Sequence, residues 1–161
     1  MIQAAYIGFG SNLGDSLSIL EKVKEEINNC PGMSMKRDSP VYLTLPVDVP
    51  DKQNNYINAV FEVETSLEPE ALLIELAAIE DRYGRVRGKV GNTARTVDLD
   101  LLLVGNLIVK NNTLTLPHPR VFQRAFVLFP LFDLSPDLEI PGQGCVRMLL
   151  ENVRDQEIKQ L

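Results

Sequence analysis

Residues 56–65, YINAVFEVET, alternate between two sets of side chains. Because successive side chains of a β-strand point to opposite faces, this stretch predicts a strand with one apolar face. That face carries Ile57, Ala59, Phe61 and Val63. The opposite face carries Tyr56, Asn58, Val60, Glu62 and Glu64.

The residues that follow this strand predict a helix and then another strand. Pro69 suits the first turn of a helix, and Gly84 fits its end. One side of this helix is lined by Leu72, Leu76, Ile79 and Tyr83. The next predicted strand covers residues 96–104, and Gly105-Asn106 predicts a turn after it.

The residues that precede the strand predict the same order of elements. Residues 4–9 form a short apolar run that predicts a buried strand, and Asp15 is a suitable N-cap for a helix. An apolar stripe at helical spacing consists of Leu17, Leu20, Val23 and Ile27. Residues 30–32, CPG, end this helix, and a strand is predicted around residues 33–44. The polar, proline-marked stretch 46–55 predicts a loop.

Two successive strand-helix-strand units predict an α+β fold of the ferredoxin-like split βαβ type. The sheet should be mostly antiparallel, with helices packed on it. Short strands, the loop LPHPR (116–120) and one or two helices should follow. A length of 161 residues predicts a single domain, 1–161, that can bury a substantial core.

Composition limits the possible functions. The chain is 45% hydrophobic and 24% charged, which is ordinary for a globular protein, and it contains no apolar run long enough to cross a membrane. The N-terminus lacks the pattern of a secretory signal, and Cys30 and Cys145 are too few for a disulfide framework, so a cytoplasmic protein is expected. A net charge of −6 argues against a nucleic-acid binder.

The stretch RTVDLDLLLVG (95–105) places Asp98 and Asp100 on the same face of a strand. Two carboxylates about 5 Å apart repel by about 3 kcal/mol at an effective dielectric constant near 20, so a compensating partner is expected. Two such carboxylates, with substrate phosphates and water, are a typical Mg²⁺ ligand set. The alternative is a solvated face, although Leu102 and Val104 are expected to continue the aspartates' side as apolar.

Basic residues are concentrated just before the aspartate pair. Five of them lie between residues 82 and 95, namely Arg82, Arg85, Arg87, Lys89 and Arg95, and Arg120 and Arg124 follow later. Arginines match phosphate oxygens, so the concentration suggests a small anionic ligand such as a Mg-nucleotide. A solvated basic loop or structural ion pairs would give the same pattern.

Other motifs are weaker. GFGSNLG (8–14) lacks the glycine spacing of a dinucleotide-binding fingerprint, and its glycines are expected to serve a tight turn and close backbone approach. The Walker pattern is absent, so an ATP site would be of another kind. His118 is the only histidine and lies between two prolines, which alone favours a structural role, and no zinc ligand set exists.

Six motifs in order resemble a known family. They are AYIGFGSNLGD, YINAVFEVETSL, EDRYGRVR, RTVDLDLLL, LPHPR and RAFVLFPL. Together they resemble 6-hydroxymethyl-7,8-dihydropterin pyrophosphokinase of the folate pathway, from Ala5 to about Pro141. The resemblance implies transfer of diphosphate from ATP to the hydroxymethyl group of a reduced pterin, with release of AMP.

The resemblance also implies roles for individual residues. Asp98 and Asp100 would hold two Mg²⁺ ions, and Arg85 and Arg95 would act with them in catalysis. The implied ATP contacts are Arg87, Thr115, His118 and Arg124. The implied pterin contacts are Gly10, Thr44, Leu45, Val47, Tyr56, Asn58 and Phe126, with Tyr56 and Phe126 enclosing the ring. Asn12 would border the pocket, and Glu80 would support the site.

One stretch departs from the family. Its members commonly carry Trp-Gly-Pro-Arg before the aspartate pair, and this chain has Asn92-Thr93-Ala94-Arg95. A rival hypothesis is therefore a nucleotide- and pterin-binding regulator of the same fold with weakened catalysis. A second rival is a non-enzymatic interaction module. The expected partners are the two small-molecule substrates, with no nucleic acid and no membrane, and the chain is expected to be a monomer.

Overall fold

The computed structural model describes residues 1–12, 15–44, 55–84 and 97–161, with the backbone alone for Phe122. The first part of the chain contains β1 (Gln3–Ser11), α1 (Ser16–Asn29), β2 (Met33–Asp38), β3 (Tyr42–Thr44), β4 (Tyr56–Thr65), α2 (Pro69–Arg82) and β5 (Asp98–Val104). The second part contains β6 (Val109–Lys110), β7 (Thr115–Leu116), α3 (Ala125–Leu134), β8 (Glu139–Ile140), β9 (Gly144–Cys145), α4 (Val146–Leu149) and β10 (Lys159–Gln160). Short 3-10 helices cover Val121–Gln123 and Leu150–Val153.

The main sheet is antiparallel and has the strand order β10-β3-β4-β1-β5, with β2 also paired to β4. With β2 and β3 counted as one interrupted strand, this order is that of the ferredoxin-like fold, so the predicted fold class is confirmed. Strand β1 lies between β4 and β5 and aligns Gly10 with both Asn58 and Asp98. No helix in the part of the chain described here is long and apolar enough to cross a membrane.

Helix α1 begins as predicted, because the carboxylate of Asp15 accepts a hydrogen bond from the Ser18 amide at 3.3 Å. The predicted apolar stripe is wrong at one position: Leu17 is 51% exposed. Leu17 lies roughly 90° around the helix axis from the buried residues of this helix, at 100° per residue. The buried side at this end of the helix is instead occupied by Ser16, whose hydroxyl hydrogen-bonds that of Ser11 at 3.0 Å.

The predicted strand at 33–44 is two strands, β2 and β3, separated at Ser39-Pro40. Proline has no amide proton to donate to a neighbouring strand, so regular pairing stops there. Ser39 replaces the regular pairing with β4 by two other hydrogen bonds. Its amide donates to the Val60 carbonyl at 2.9 Å, and its hydroxyl accepts from the Val60 amide at 2.9 Å. Both strands therefore remain attached to β4.

Hydrophobic residues pack on both faces of the main sheet. On one face, α1 and α2 cover a core that includes Ile7, Phe61 and Leu101. On the other face, α3 and the C-terminal region cover a second core that includes Val60, Leu102 and Leu128. The sheet is thus a middle layer, and the second core covers only part of its face.

Strand β5 changes register against β1 between Tyr6 and Ile7. Tyr6 pairs with Leu103, and Ile7 pairs with Leu101. Such an irregularity inserts one residue and changes the face that the following side chains occupy. Leu102 lies in the second core, which is on the same side of the sheet as the aspartates, as expected. Val104 lies in the first core, on the opposite side. The prediction that Val104 shares the aspartates' face is therefore wrong.

Candidate functional site

A part of the sheet without side chains lies at the centre of the site. We call the sheet face that carries Gly8, Gly10, Asn58, Asp98 and Asp100 the polar face. Both glycines lie within β1 and have no left-handed φ, so the expected tight turn is wrong for these two, while Gly14 lies outside the described residues. Among the described residues, a Cβ added at Gly10 would meet only the Asn58 Oδ1 atom, at 3.6 Å, so these residues leave room there. This open room is suited to a ligand lying against the backbone.

The aspartate pair borders one side of this room. Asp98 aligns with Gly10 and Asp100 aligns with Gly8 across the β1–β5 pairing, and both are partly exposed. Leu99, between them, is buried in the first core. The structure therefore places the two predicted carboxylates on one accessible face.

Asn58 borders the other side of the room. It is 5% exposed, and its Nδ2 donates to the Thr44 hydroxyl at 2.8 Å. This bond orients the amide so that Oδ1 points towards Gly10. Thr44 is in turn paired with Tyr56, which is partly exposed on the same face. Three predicted pterin contacts thus lie together with Gly10.

His118 reaches this side of the sheet through a bond to β5. Its amide donates to the Leu102 carbonyl at 2.9 Å, and its Nδ1 accepts from the Arg120 amide at 3.3 Å. The neutral ring therefore carries its proton on Nε2. Burial lowers the pKa of His118, Arg124 and Arg120 lower it further, and Asp98 acts in the opposite direction. His118 is thus an uncharged hydrogen-bond donor close to Asp98 at neutral pH.

Arg124 supplies positive charge to the same region. Burial lowers the pKa of its guanidinium, while Asp100 and Asp98 favour the charged form. Its Cζ lies 5.3 Å from the centre of the Phe126 ring, within the range of a cation–π contact. The predicted nucleotide residue Arg124 and the predicted pterin residue Phe126 are therefore in contact.

Thr115 and Asn12 lie at the margin of this arrangement. Thr115 is partly exposed on β7, three residues before His118, and pairs with Lys110. Asn12 is buried at the end of β1. The structure places each next to an element that forms the site.

Glu80 supports the backbone of the aspartate pair from helix α2. It is 4% exposed on α2, and its Oε2 accepts a hydrogen bond from the Leu99 amide at 2.7 Å. Leu99 separates Asp98 from Asp100, so this bond fixes the backbone between them.

Several predicted residues lie outside the described part of the chain: Arg85, Arg87, Arg95, Leu45 and Val47. Sequence reasoning counted Arg120 among the basic residues that suggest an anionic ligand but gave it no individual role; the structure shows that it acts electrostatically on both His118 and Arg124. Sequence reasoning also missed Gln156, which bonds to the backbone on both sides of Arg124. The proximity of Arg120 to His118 in sequence was an available sign; no local pattern marks Gln156.

The donor chemistry of Asp98 and Asp100 fits Mg²⁺. Among the residues with described positions, no group of three or more His, Cys, Asp or Glu side chains could hold a metal. Mg²⁺ is commonly bound by one or two carboxylates plus substrate phosphates and water. Asp98 and Asp100 meet that requirement because they are hard oxygen donors on one accessible face.

The chain is similar to known proteins over nearly its whole length. The family model for 7,8-dihydro-6-hydroxymethylpterin-pyrophosphokinase (HPPK) matches residues 6–136. The 2-amino-4-hydroxy-6-hydroxymethyldihydropteridine pyrophosphokinase of Haemophilus influenzae is 38% identical over 157 residues, which cover 98% of this chain and 97% of that protein. The folic acid synthesis protein fol1 of Pneumocystis carinii is 39% identical over 158 residues, 98% of this chain and 21% of that protein.

Solved structures show the same fold. An HPPK-DHPS structure in complex with substrates gives a TM-score of 0.72 at 14% identity and covers 94% of this chain and 43% of that chain. The structure of wild-type HPPK-DHPS of Plasmodium falciparum with SDX-DHP gives a TM-score of 0.73 at 13% identity and covers 94% of this chain and 44% of that chain. The chain thus spans about a fifth of fol1 and less than half of these two HPPK-DHPS chains, but nearly all of the Haemophilus protein. On the match of residues 6–136 and this full-length relative, the chain belongs to the 7,8-dihydro-6-hydroxymethylpterin-pyrophosphokinase family.

Proposed function

We propose that this chain transfers diphosphate from ATP to the hydroxymethyl group of 6-hydroxymethyl-7,8-dihydropterin in folate biosynthesis. The products are AMP and the pterin diphosphate. Membership of the HPPK family supports this activity, as does the match to a relative of nearly equal length that is named for it. The chain acts as a monomer, with these two substrates as its partners.

The observation that carries the proposal is the arrangement of the polar face. Carboxylates at Asp98 and Asp100 lie on one side of the two glycines, and the oriented amide of Asn58 lies on the other. A phosphate chain requires charge neutralisation, whereas a pterin requires hydrogen-bonding groups at its edge. The polar face offers both kinds of group on either side of Gly10, where the backbone carries no side chain of its own.

Asp98 and Asp100 are the ligands for Mg²⁺ in this proposal, and two ions are expected. When bound, Mg²⁺ supplies charge neutralisation on the phosphates that it contacts. Arg124 contributes a fixed positive charge, and Asp100 and Asp98 favour its protonated form. His118 offers its Nε2 proton to a phosphate oxygen. Thr115, on β7, is a further contact for ATP. Arg85, Arg87 and Arg95 are proposed as further phosphate contacts.

The pterin is held against the glycines of β1. Tyr56 and Phe126 provide aromatic faces for its flat ring system. Asn58 presents its Oδ1 to the donors of the ring edge, because Thr44 holds the Nδ2 atom at 2.8 Å. Gly10 leaves the space that the ring occupies, and Leu45 and Val47 are proposed to complete the edge.

The reaction itself depends on alignment. The hydroxyl oxygen of the pterin forms a bond to the β-phosphorus, and the bond from that phosphorus to the bridging oxygen of AMP breaks. The hydroxyl proton is released, and AMP leaves with its α-phosphate. Holding the hydroxyl in line with the breaking bond accounts for a large part of catalysis in such transfers, because it replaces an encounter in solution with a fixed geometry.

Product analysis tests this function. The protein is incubated with Mg-ATP and 6-hydroxymethyl-7,8-dihydropterin, and nucleotides and pterins are separated by chromatography. AMP and pterin diphosphate in equal amounts are expected. Formation of ADP would indicate transfer of a single phosphoryl group and would contradict the proposal. Binding of both substrates without turnover would contradict it as well and would favour a regulator.

A further inference from the structure

Helix α3 begins at the site without a capping side chain of its own. Its N-cap residue is Arg124, and this side chain makes no capping hydrogen bond. Helix N-caps are usually Ser, Thr, Asp or Asn, whose side chains accept a bond from an early helix amide. Here the N-cap side chain lies instead over the Phe126 ring and interacts with the aspartate pair. The first turn of α3 therefore needs an acceptor from elsewhere in the chain.

Gln156 supplies this acceptor from the C-terminal region. Its Oε1 accepts a hydrogen bond from the Ala125 amide at 2.9 Å, and its Nε2 donates to the Gln123 carbonyl at 2.9 Å. Ala125 and Gln123 are the two neighbours of Arg124. One side-chain amide therefore bonds to the backbone immediately before and immediately after this residue, which limits the directions in which its side chain can leave the helix.

The residues around Gln156 hold it in place. Its own amide donates to the Val153 carbonyl at 3.0 Å. Ile158 packs against the second core, Lys159 and Gln160 pair with β3, and the Leu161 amide donates to the Val41 carbonyl at 2.8 Å. The C-terminal segment thus bonds to both the start of α3 and the strand that carries Thr44.

We propose that Gln156 is a positioning residue for Mg-ATP, which acts by fixing the backbone on both sides of Arg124. This proposal rests on the nucleotide role given to Arg124 under the proposed function. Gln156 does not touch the substrate in this scheme. Its effect on nucleotide binding should therefore depend on the presence of the Arg124 guanidinium, whereas an effect on general stability would not.

A double-mutant cycle tests this dependence. The affinity for Mg-ATP, without pterin, is measured by calorimetric titration for the wild type, Gln156→Ala, Arg124→Ala and the double variant. Gln156→Ala should weaken affinity by about threefold to tenfold, as expected for the loss of two hydrogen bonds that compete with water. In the Arg124→Ala background the same change should alter affinity by less than about twofold, because the group that it positions is gone.

Two further variants complete the design. Gln160→Ala removes an exposed glutamine side chain from the same segment and should bind Mg-ATP like the wild type. Gln156→Met keeps the length of the side chain, adds no charge and removes both hydrogen bonds, so a loss similar to that of Gln156→Ala is expected. This variant replaces Gln156→Ala in the cycle if the alanine variant does not fold.

The double-mutant cycle tests the positioning role of Gln156 separately from the proposed diphosphate transfer. Equal losses in both backgrounds, or wild-type affinity in Gln156→Ala, would overturn the positioning role. A wild type that produces no AMP contradicts the proposed function, but a non-additive cycle in the same protein still supports the action of Gln156 through Arg124.

Discussion

Asp98 and Asp100 are partly exposed and lie side by side, so they repel each other, but both also interact favourably with the Arg124 guanidinium. These two effects oppose each other, so removing either charge should change the free energy of unfolding by less than about 1 kcal/mol. Activity should fall by about 100-fold or more in Asp98→Ala and in Asp100→Ala, because a metal contact contributes several kcal/mol to phosphoryl transfer. Steady-state kinetics and urea denaturation measure the two effects.

The matched control for these variants is Asp137→Ala. The Asp137 side chain is 83% exposed and pairs only with the surface residue Arg147 among the ion pairs described. Its removal changes the net charge by the same amount and should leave the rate unaltered. Near-normal turnover in either Asp98→Ala or Asp100→Ala would refute their proposed role as metal ligands.

Gly10 gives a prediction in which stability and activity move in opposite directions. In the part of the chain that the structure describes, an added methyl group meets no atom closer than 3.6 Å, and alanine is favoured over glycine in a strand by about 0.5–1 kcal/mol. Gly10→Ala should therefore fold at least as stably as the wild type. The methyl group occupies the space assigned to the pterin, so KM for the pterin should rise about tenfold or more, as for overpacking by about 1–3 kcal/mol. An unchanged KM would show that the pterin lies elsewhere.

His118 should make stability depend on pH. Burial is the main reason that its pKa in the folded protein lies below the ordinary value of 6.5, with Arg124 and Arg120 adding to it. The unfolded chain therefore takes up the proton first as the pH falls, and stability is lost below about pH 6.5. His118→Gln removes the only histidine, so its free energy of unfolding should fall less than that of the wild type between about pH 7.5 and 5. Parallel pH profiles in urea denaturation would contradict this prediction.

At the scale of elements, Glu80 joins α2 to the edge of β5. Glu80→Ala leaves the Leu99 amide without this acceptor in a buried position, which should cost about 1–3 kcal/mol of unfolding free energy. Glu80→Gln retains an amide oxygen and should cost less. Glu25→Ala, at an exposed position on α1, is the control and should cost less than about 0.5 kcal/mol. Urea denaturation measures the free energy of unfolding of these variants. A Glu80→Ala variant as stable as the control would show that the bond between Glu80 and the Leu99 amide does not stabilise the fold.

The elements themselves were largely predictable, because alternation and helical spacing are local properties. The strand at 56–65 and the helix from Pro69 were confirmed at their predicted positions. Errors arose where a local pattern competes with a tertiary one. Leu17 fits a helical stripe, but Ser16 takes the buried position through its bond to Ser11. Val104 fits strand alternation, but the register shift against β1 moves it to the other face.

The candidate site was predictable to the extent that its chemistry lies in short motifs. Asp98 and Asp100 lie on one face as predicted, and Asn58 and Gly10 face each other across the β1–β4 pairing. The roles of these residues were given by family resemblance and remain predictions. Contacts between distant segments were not predictable: Glu80 reaches Leu99 across 19 residues, and Gln156 reaches Ala125 across 31.

At the scale of the whole molecule, the proposed site combines β1, β4 and β5 of the sheet with the start of α3 and the segment around His118. A nucleotide that bridges the sheet and α3 should therefore stabilise the folded chain as a unit. Binding at 100 times the dissociation constant contributes about 2.7 kcal/mol, which for a chain of this size corresponds to a rise in melting temperature of about 5–10 °C. Mg-ATP should give this rise in a thermal unfolding assay.

The metal dependence of that rise tests the acid pair in the intact protein. Excess EDTA should remove most of the stabilisation by ATP, since Asp98 and Asp100 then face the phosphates without a cation between them. EDTA without nucleotide should leave the melting temperature unchanged, because the proposed ions are bound together with substrate phosphates. In Asp98→Ala/Asp100→Ala, ATP should give the same small shift with and without Mg²⁺. A full rise with ATP in EDTA would mean that the nucleotide binds through the basic residues alone, and the carboxylates would then need another role.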